Sequence, residues 1–332
     1  MMLIITLLMG MLMSISANSW LGVWMGLEIN LLSFIPLMIN HENILTMEAS
    51  MKYFIIQAMA SSLLLFIIIS LSMTKFLPNY MNLSEMSMII NTPLALKSGM
   101  APFHWWFPSV MEGLSWINCL LLMTIQKIAP LIIFSYSMST MSMIIYITMS
   151  TIVGSIGGFN QTSVRKILTY SSINHTGWML SAMMIGENMW LMYFIIYSFT
   201  ITSIILLIKP LKISFINQFN MMNKSNEKKI FMFTLLLSLG GLPPFLGFLP
   251  KWIIIQFMTM NNMILIITLM IIMSLVTLFY YLRLCYSIFM INYETPSWNI
   301  QENKDFMTKF YPIMILTSIM GLMLCTMLIN VL

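Results

Sequence analysis

Charge is scarce in this 332-residue chain: 8% of its residues are Asp, Glu, Lys or Arg, against 59% hydrophobic. A soluble domain normally carries about 25% charged residues to keep its surface wet. So little charge excludes a soluble globular reading. Cysteine is scarcer still, and Cys119, Cys285 and Cys325 each stand alone inside an apolar segment with no CxxC. That excludes both a disulfide framework and an iron–sulfur site. GxGxxG, a P-loop, histidines at haem spacing and a metal-ligand cluster are absent as well, so redox chemistry served by this chain belongs to partner chains. The first apolar run, Leu3 to Ile15, lacks a positive flank and a small-residue cleavage site, which makes it a retained span rather than a signal peptide. The formal charge of +5 invites a nucleic-acid reading, but the basic residues gather in loops and call for no nucleic acid.

What remains is apolar sequence in repeated runs of about twenty residues, with a mean hydropathy of +0.91. The pattern predicts an all-α polytopic membrane protein, one membrane domain over 1–332. About eleven spans are expected, at roughly 3–17, 20–40, 49–73, 85–107, 114–135, 141–158, 166–185, 189–209, 229–256, 262–291 and 310–330. With alternating loops, one side collects Arg165, Lys166, Lys209, Lys212, Lys224, Lys228, Lys229, Lys304 and Lys309, and the other has little beyond Lys75. The bias of lysine and arginine toward the inner side then puts the N-terminus inside and the C-terminus outside.

A few ionisable residues lie deep in these spans, where each needs a reason. Thr92 to Pro108 reads TPLALKSGMAPFHWWFP, with Lys97 about 15 Å from Phe107 on a helical rise. Pro102 has no N–H and predicts a break that frees the Ser98 carbonyl beside Lys97, with His104 nearby. A freed carbonyl at that depth is tolerated only inside protein or in a wet cavity. Together these features point to an ion path, the alternative being a lysine that snorkels to the interface. Glu28, in WLGVWMGLEINLLSFIPL, lies about 12 Å from Trp20 and must be neutral or paired. In the fifth span Gln126 and Lys127 precede Pro130, and Lys127 is again deep. His175, in SSINHTGWML, is either a relay or a structural hydrogen-bond donor. Thr46 and Glu48 mark a helix start, and Lys52 and Arg283 read as snorkellers. The sequons at Asn82, Asn160 and Asn174 carry no weight in a chain outside the secretory route.

The ninth span, LSLGGLPPFLGFLPKWIII, is broken as well: Gly240, Gly241, Pro243, Pro244, Gly247 and Pro250 break the helix and free the carbonyls of Leu239 and Gly240, and Lys251 follows. Broken, charged spans at positions four and nine imply a repeat of five. Because five is odd, the second copy is inverted in the membrane. Residues 1–136 form the first repeat, 137–291 the second, and 292–332 a loop and a final helix. The symmetry sets His175 opposite Glu28.

NSWLGVWMGLEINLLSFIPL, EASMKYFIIQAMASS, LKSGMAPFHWWFP, QKIAPL, SSINHTGWML and LSLGGLPPFLGFLPKW, in this order, resemble the hallmark segments of the subunit 2 family of mitochondrial NADH:ubiquinone oxidoreductase, respiratory complex I, in its arthropod form. The resemblance spans nearly the whole chain and is weakest over 1–17, 137–150 and 210–228. It implies an antiporter-like fold of two inverted five-helix repeats, each with a discontinuous helix. It also implies a midplane relay of Glu28, Lys97, Lys127 and Lys251. Bacterial relatives have fourteen spans and animal ones lack the first three, which suits about eleven here. One departure is Ile125, where the family often has Trp before Gln-Lys. The 40 methionines then fit an animal mitochondrial code that reads ATA as Met, a hypothesis the gene's codons would settle.

The function implied is a proton channel in complex I, coupled to electron transfer from NADH to ubiquinone. NADH, FMN, iron–sulfur clusters and ubiquinone sit in partner subunits, and no cofactor is expected in this chain. Implied partners are the neighbouring subunits 4 and 4L, accessory subunits and lipids such as cardiolipin. The implied location is the mitochondrial inner membrane, with the N-terminus on the matrix side and the C-terminus on the intermembrane-space side. Two alternatives stand beside this: a stand-alone cation/proton antiporter, and a structural spacer that only transmits motion.

Overall fold

The computed structural model describes residues 2–40, 42–74, 83–211, 213–221, 226–289 and Gly321. The expected span at 310–330, Cys325, Lys75, Asn82, Lys212, Lys224, Lys304 and Lys309 lie outside the described residues. Every regular element described is helical. The helices are α1 (Met2–Ser16), α2 (Trp20–Met38), α3 (Ile44–Thr74), α4 (Leu83–Ser98), α5 (Trp106–Gly113), α6 (Trp116–Met123), α7 (Ile125–Tyr136), α8 (Thr140–Phe159), α9 (Val164–Ile185), α10 (Glu187–Leu211), α11 (Asn226–Gly240), α12 (Phe248–Met260) and α13 (Ile264–Phe289). Except for α5, which lies almost wholly between the fourth and fifth, they fall on the first ten expected spans, and six stretches, among them Ile44–Met73 and Glu187–Leu211, are long and apolar enough to cross a membrane.

The chain divides into two compact units, Met1–Val153 and Gly154–Leu332. In the first, α1 and α2 pack backbone to backbone, because small residues face each other: a Cβ on Gly26 would stand 2.5 Å from the Ser14 nitrogen, and one on Gly10 would stand 2.8 Å from the Asn30 nitrogen. Gly26→Val therefore forces these helices apart, at about 1–3 kcal/mol or more for overpacking. It is expected to reduce the amount of chain recovered in an assembled complex on a native gel. Outward, α3 presents Met51, Phe54, Ile55, Met59, Leu63 and Phe66, all exposed, as a lipid-facing helix does. Its Lys52 pairs with Glu48 at 3.9 Å on the exposed surface rather than reaching out alone. Thr46 lies inside the first turn of α3, not before it, and its hydroxyl bonds the carbonyls of Asn40 and Asn43.

In the second unit α9 is the central element. Its residues from Ser171 to Met183 are buried without interruption although many are polar. A helix that polar survives at membrane depth only when other helices wrap it. Here α10, α12 and α13 do so. Gly154 lets α8 approach closely, its Cβ direction pointing at the Asn174 nitrogen at 2.5 Å.

Both expected breaks are present, and a glycine ends each helix: Gly241, one of the expected breakers, in the second, and Gly99 rather than Pro102 in the first. At Gly99, φ is +71°, the Met100 N–H returns to the Ala95 carbonyl and the Gly99 N–H to Leu96. At Gly241, φ is +78°, with the Leu242 N–H on Leu237 and the Gly241 N–H on Ser238. These are Schellman ends, which need a left-handed residue that only glycine supplies without strain. Pro102, Pro243 and Pro244 follow, in cis peptide bonds at Ala101–Pro102 and Pro243–Pro244. The expectation that Pro102 strips the partner from the Ser98 carbonyl is thus corrected, since α4 has already ended when Pro102 arrives. A third interruption was not foreseen: the fifth span divides into α6 and α7 at Thr124, whose hydroxyl bonds back to the Leu120 carbonyl at 2.7 Å.

Candidate functional site

The end of α4 is exposed backbone that the first unit satisfies with side chains. The Leu96 carbonyl accepts the Trp106 indole N–H at 3.1 Å, and the Lys97 carbonyl accepts the Gln57 amide at 3.2 Å. Trp106 is braced edge-on by Tyr53, and Tyr53 by Phe34, with ring centroids 5.8 and 5.4 Å apart. This scaffold holds Lys97, only 7% exposed, against a small cavity between α2, α3, α4 and α7.

Asn30, Tyr53, Gln57, Lys97, Gln126 and Pro130 line that cavity, closed by Leu27 and Leu31. Gln126 donates to Asn30 at 3.0 Å, which ties α7 to α2. No described residue accepts a hydrogen bond from the Lys97 ammonium. Amides, a phenol and an ammonium around one space are enough partners for bridging water. Glu28 is half-buried on α2, between the turns that supply Leu27 and Leu31, and its charge reaches Lys97. One of its carboxylate oxygens is buried with no hydrogen-bond partner among the described residues. The pair is electrostatic rather than a contact ion pair, since no carboxylate oxygen of a described residue lies within 4.0 Å of the Lys97 ammonium.

Lys127, 2% exposed, stands on α7 with its ammonium over the Phe107 ring, 5.0 Å from the centroid. The Cβ and Cγ of Phe107 also lie beside Gly99, two residues beyond Lys97, so one buried aromatic neighbours both the break in α4 and Lys127. Phe107→Leu keeps the apolar bulk and removes the ring. A double-mutant cycle with Lys127→Met, read as thermal stability of the assembled complex, is expected to give a coupling of about 1 kcal/mol.

The second unit repeats the theme. Lys251, 5% exposed, donates to the Gly240 carbonyl at 3.0 Å, one of the two carbonyls the sequence predicts to be freed. Its ammonium also lies 5.8 Å from the Trp178 ring centroid. His175 is one turn before Trp178 on α9, so His175 and Lys251 share a side of that helix. Its Nδ1 is 2.8 Å from the Tyr193 hydroxyl.

Two expectations move. His104 does not line the cavity; its ring sits 3.2 Å from the Pro102 carbonyl, in an outward loop beside the 80%-exposed Trp105. Arg283 is half-buried and donates to the Gln161 carbonyl, so it ties α13 to the loop before α9 rather than simply reaching the interface. Tyr53, Gln57 and Asn30 were missed. The one signal that could have found them is a polar side chain at mid-span.

Residues 17–277 match the family described as "NADH:quinone oxidoreductase/Mrp antiporter, TM", and residues 278–329 match "NADH dehydrogenase subunit 2 C-terminus". NADH-ubiquinone oxidoreductase chain 2 of Anopheles gambiae is 54% identical, over 90% of this chain and 89% of its own length. The chain belongs to the NADH-ubiquinone oxidoreductase chain 2 family. That protein from Locusta migratoria is 46% identical over 97% of this chain and 94% of its own. Among solved structures, a chain of respiratory complex I from Thermus thermophilus superposes with a TM-score of 0.83 at 21% identity, covering 97% of this chain and 77% of that one. A chain of the Mrp complex from Dietzia gives 0.76 at 16%, covering 90% and 62%. Those two likenesses establish the antiporter-like helical fold. A multi-pass membrane subunit of mitochondrial type follows from the family.

Proposed function

We propose that this chain is a core membrane-arm subunit of respiratory complex I, translocating protons as electrons pass from NADH to ubiquinone in its partners. The observation that carries the reading is the polar cavity at the end of broken α4, with the Lys97 ammonium in it and the Glu28 carboxylate within electrostatic reach. A buried lysine keeps its proton while a carboxylate offsets its charge and yields it when that charge is withdrawn. Moving one charge against about 200 mV costs about 4.6 kcal/mol. That corresponds to roughly three orders of magnitude in proton affinity, within the range that burial and charge partners supply. In this reading Lys97 loads through cavity water, Lys127 takes the proton beside Phe107, and Lys251 is the acceptor of the second unit, with His175 a further relay.

The chain holds no redox centre; NADH, FMN, iron–sulfur clusters and ubiquinone reside in other subunits. Its neighbours are membrane-arm subunits, namely subunits 4 and 4L with accessory chains, and inner-membrane lipids such as cardiolipin. The loops rich in lysine and arginine face the matrix, which places the N-terminus there and the C-terminus in the intermembrane space.

The test is Glu28→Gln in coupled inner-membrane vesicles, with assembly checked on a native gel stained for NADH oxidation. We expect this chain in the NADH-oxidising band and fewer protons moved per electron. An assembled variant with unchanged stoichiometry would remove this axis from conduction. A chain migrating alone, away from that band, would favour a stand-alone antiporter.

A further inference from the structure

The two breaks share one pattern and differ in how their loops are closed. Gly99-Met100-Ala101-Pro102-Phe103-His104 in the first corresponds position by position to Gly241-Leu242-Pro243-Pro244-Phe245-Leu246 in the second. Both open on a left-handed glycine, and both re-enter a helix through an equivalent bond, Phe107 N–H to the His104 carbonyl at 3.0 Å and Leu249 N–H to the Leu246 carbonyl at 3.2 Å. At the second break another part of this chain sits on the loop. Gly321 is helical and buried, and a Cβ on it would stand 2.6 Å from the Leu246 Cα and 2.8 Å from the Leu246 nitrogen. A helical residue therefore packs on that loop at backbone contact, which a residue without a side chain permits.

The first break presents the matching position, His104, in a more open loop. In the second break the Phe245 N–H donates to Leu242 at 2.9 Å and the Phe245 carbonyl accepts from Phe248 at 3.1 Å. Phe103 holds the corresponding place, and neither its N–H nor its carbonyl has a hydrogen-bond partner among the described residues. Pro102, Phe103 and Trp105 are exposed, Trp105 at 80%. About 24 Å of α4 lies on one side of this loop and about 12 Å of α5 on the other, which sets it inside a hydrocarbon core ~30 Å thick. Irregular backbone at that depth does not face lipid; protein covers it or it lines water. Exposed aromatic rings beside an open peptide favour protein, since water wets such a wall badly and a helix packs on it well.

We infer that the first break is a docking seat for a transmembrane helix of another membrane-arm subunit, one that crosses His104 through Gly, Ala or Ser and turns a hydroxyl or amide toward the Phe103 peptide. The small residue follows from the repeat: at the second break a Cβ on the crossing residue already meets the Leu246 backbone. The polar group follows from the peptide, because a wholly apolar helix would bury the Phe103 N–H and carbonyl without partners. The second break needs no such group, since its own turn bonds Phe245. The inference goes beyond conduction and rests only on the reading that this chain works in a multi-subunit complex.

A high-resolution density map of the intact complex tests it. A helix from another chain should lie over His104, with Gly, Ala or Ser at the crossing and an oxygen or nitrogen within hydrogen-bond distance of the Phe103 backbone. Lipid tails on Trp105, a water-filled space, or a segment of this same chain over His104 overturns the seat and leaves the proposed function standing. A variant gives a second reading. Trp105→Ala removes a ring that is mostly outside the fold, so this chain should still assemble, while one neighbouring chain is retained about tenfold less through detergent washing, the loss expected of an aromatic anchor. Phe66→Ala, whose ring is 69% exposed on the lipid-facing side of α3, is the control and should lose no chain. Equal retention of every chain in both variants overturns the seat. A chain found alone, outside the NADH-oxidising band, overturns this inference and the proposed function together.

Discussion

Replacing Lys97 by methionine is expected to leave an assembled, NADH-oxidising complex whose proton translocation through this subunit falls by about a hundredfold or more, the loss of a positioned proton-transfer group. Assembly should survive because the anchors of this helix end are backbone: Gln57 binds the Lys97 carbonyl and Trp106 binds that of Leu96. Methionine keeps both and fills nearly the same volume. Removing the ammonium breaks no hydrogen bond to a described residue, and the carboxylate it leaves behind, Glu28, is half-buried rather than fully desolvated, which limits the cost of losing its partner charge. The decisive comparison is Lys97→Arg. Arginine keeps the positive charge facing Glu28 yet does not release its proton in a protein. If Lys97 carries protons, Arg and Met variants fail alike; if it serves only as a fixed charge, Arg restores translocation and the relay assigned here is wrong. Vesicle proton uptake per NADH, measured for both variants, separates the two.

Much of this architecture was legible in sequence because a membrane imposes simple rules. Lys97, Lys127 and Lys251 stood out since an ammonium in an apolar run has few innocent explanations, and all three are buried beside an aromatic ring, a broken helix end or both. The breaks were legible from Pro102, Pro243 and Pro244 and from the glycines beside them; the way each helix ends was not. A proline rule looks four residues back, whereas the chain stops at Gly99 and Gly241 through positive φ, and sequence shows a glycine without its dihedral. Gln57 escaped for another reason. A lone amide in a thirty-residue apolar helix has no periodicity, and its role follows only from the orphan carbonyl that α4 presents to it. His104 went the opposite way: proximity in sequence to Lys97 suggested a shared path, but the turn after Gly99 swings the loop outward. Thr124 is readable in principle, since a threonine that bonds back to the preceding turn weakens a helix.

The last expected result separates backbone strain from displacement of a lysine. Gly99→Ala and Gly241→Ala both place a Cβ in the left-handed region, at φ of +71° and +78°, and each pays about 1 kcal/mol of backbone strain. Their surroundings differ. At Gly99 the new methyl meets Phe107 and Trp106 at 3.4 Å, an ordinary contact. At Gly241 it would stand 2.9 Å from the Lys251 ammonium nitrogen, 3.0 Å from Cδ and 3.2 Å from Cε. The flexible lysine is the part that gives way, and it gives way by leaving the Gly240 carbonyl, which then stays buried without its donor, a further cost of about 1–3 kcal/mol. Gly99→Ala should therefore lower the thermal stability of the complex slightly and pump normally. Gly241→Ala should be the less stable of the two and, if Lys251 is the acceptor proposed above, lose most translocation, because that lysine has moved. Equal pumping in the two variants would mean that the bond from Lys251 to Gly240 does not hold the lysine in a working position, and Lys251 would then have to act from another geometry or not at all.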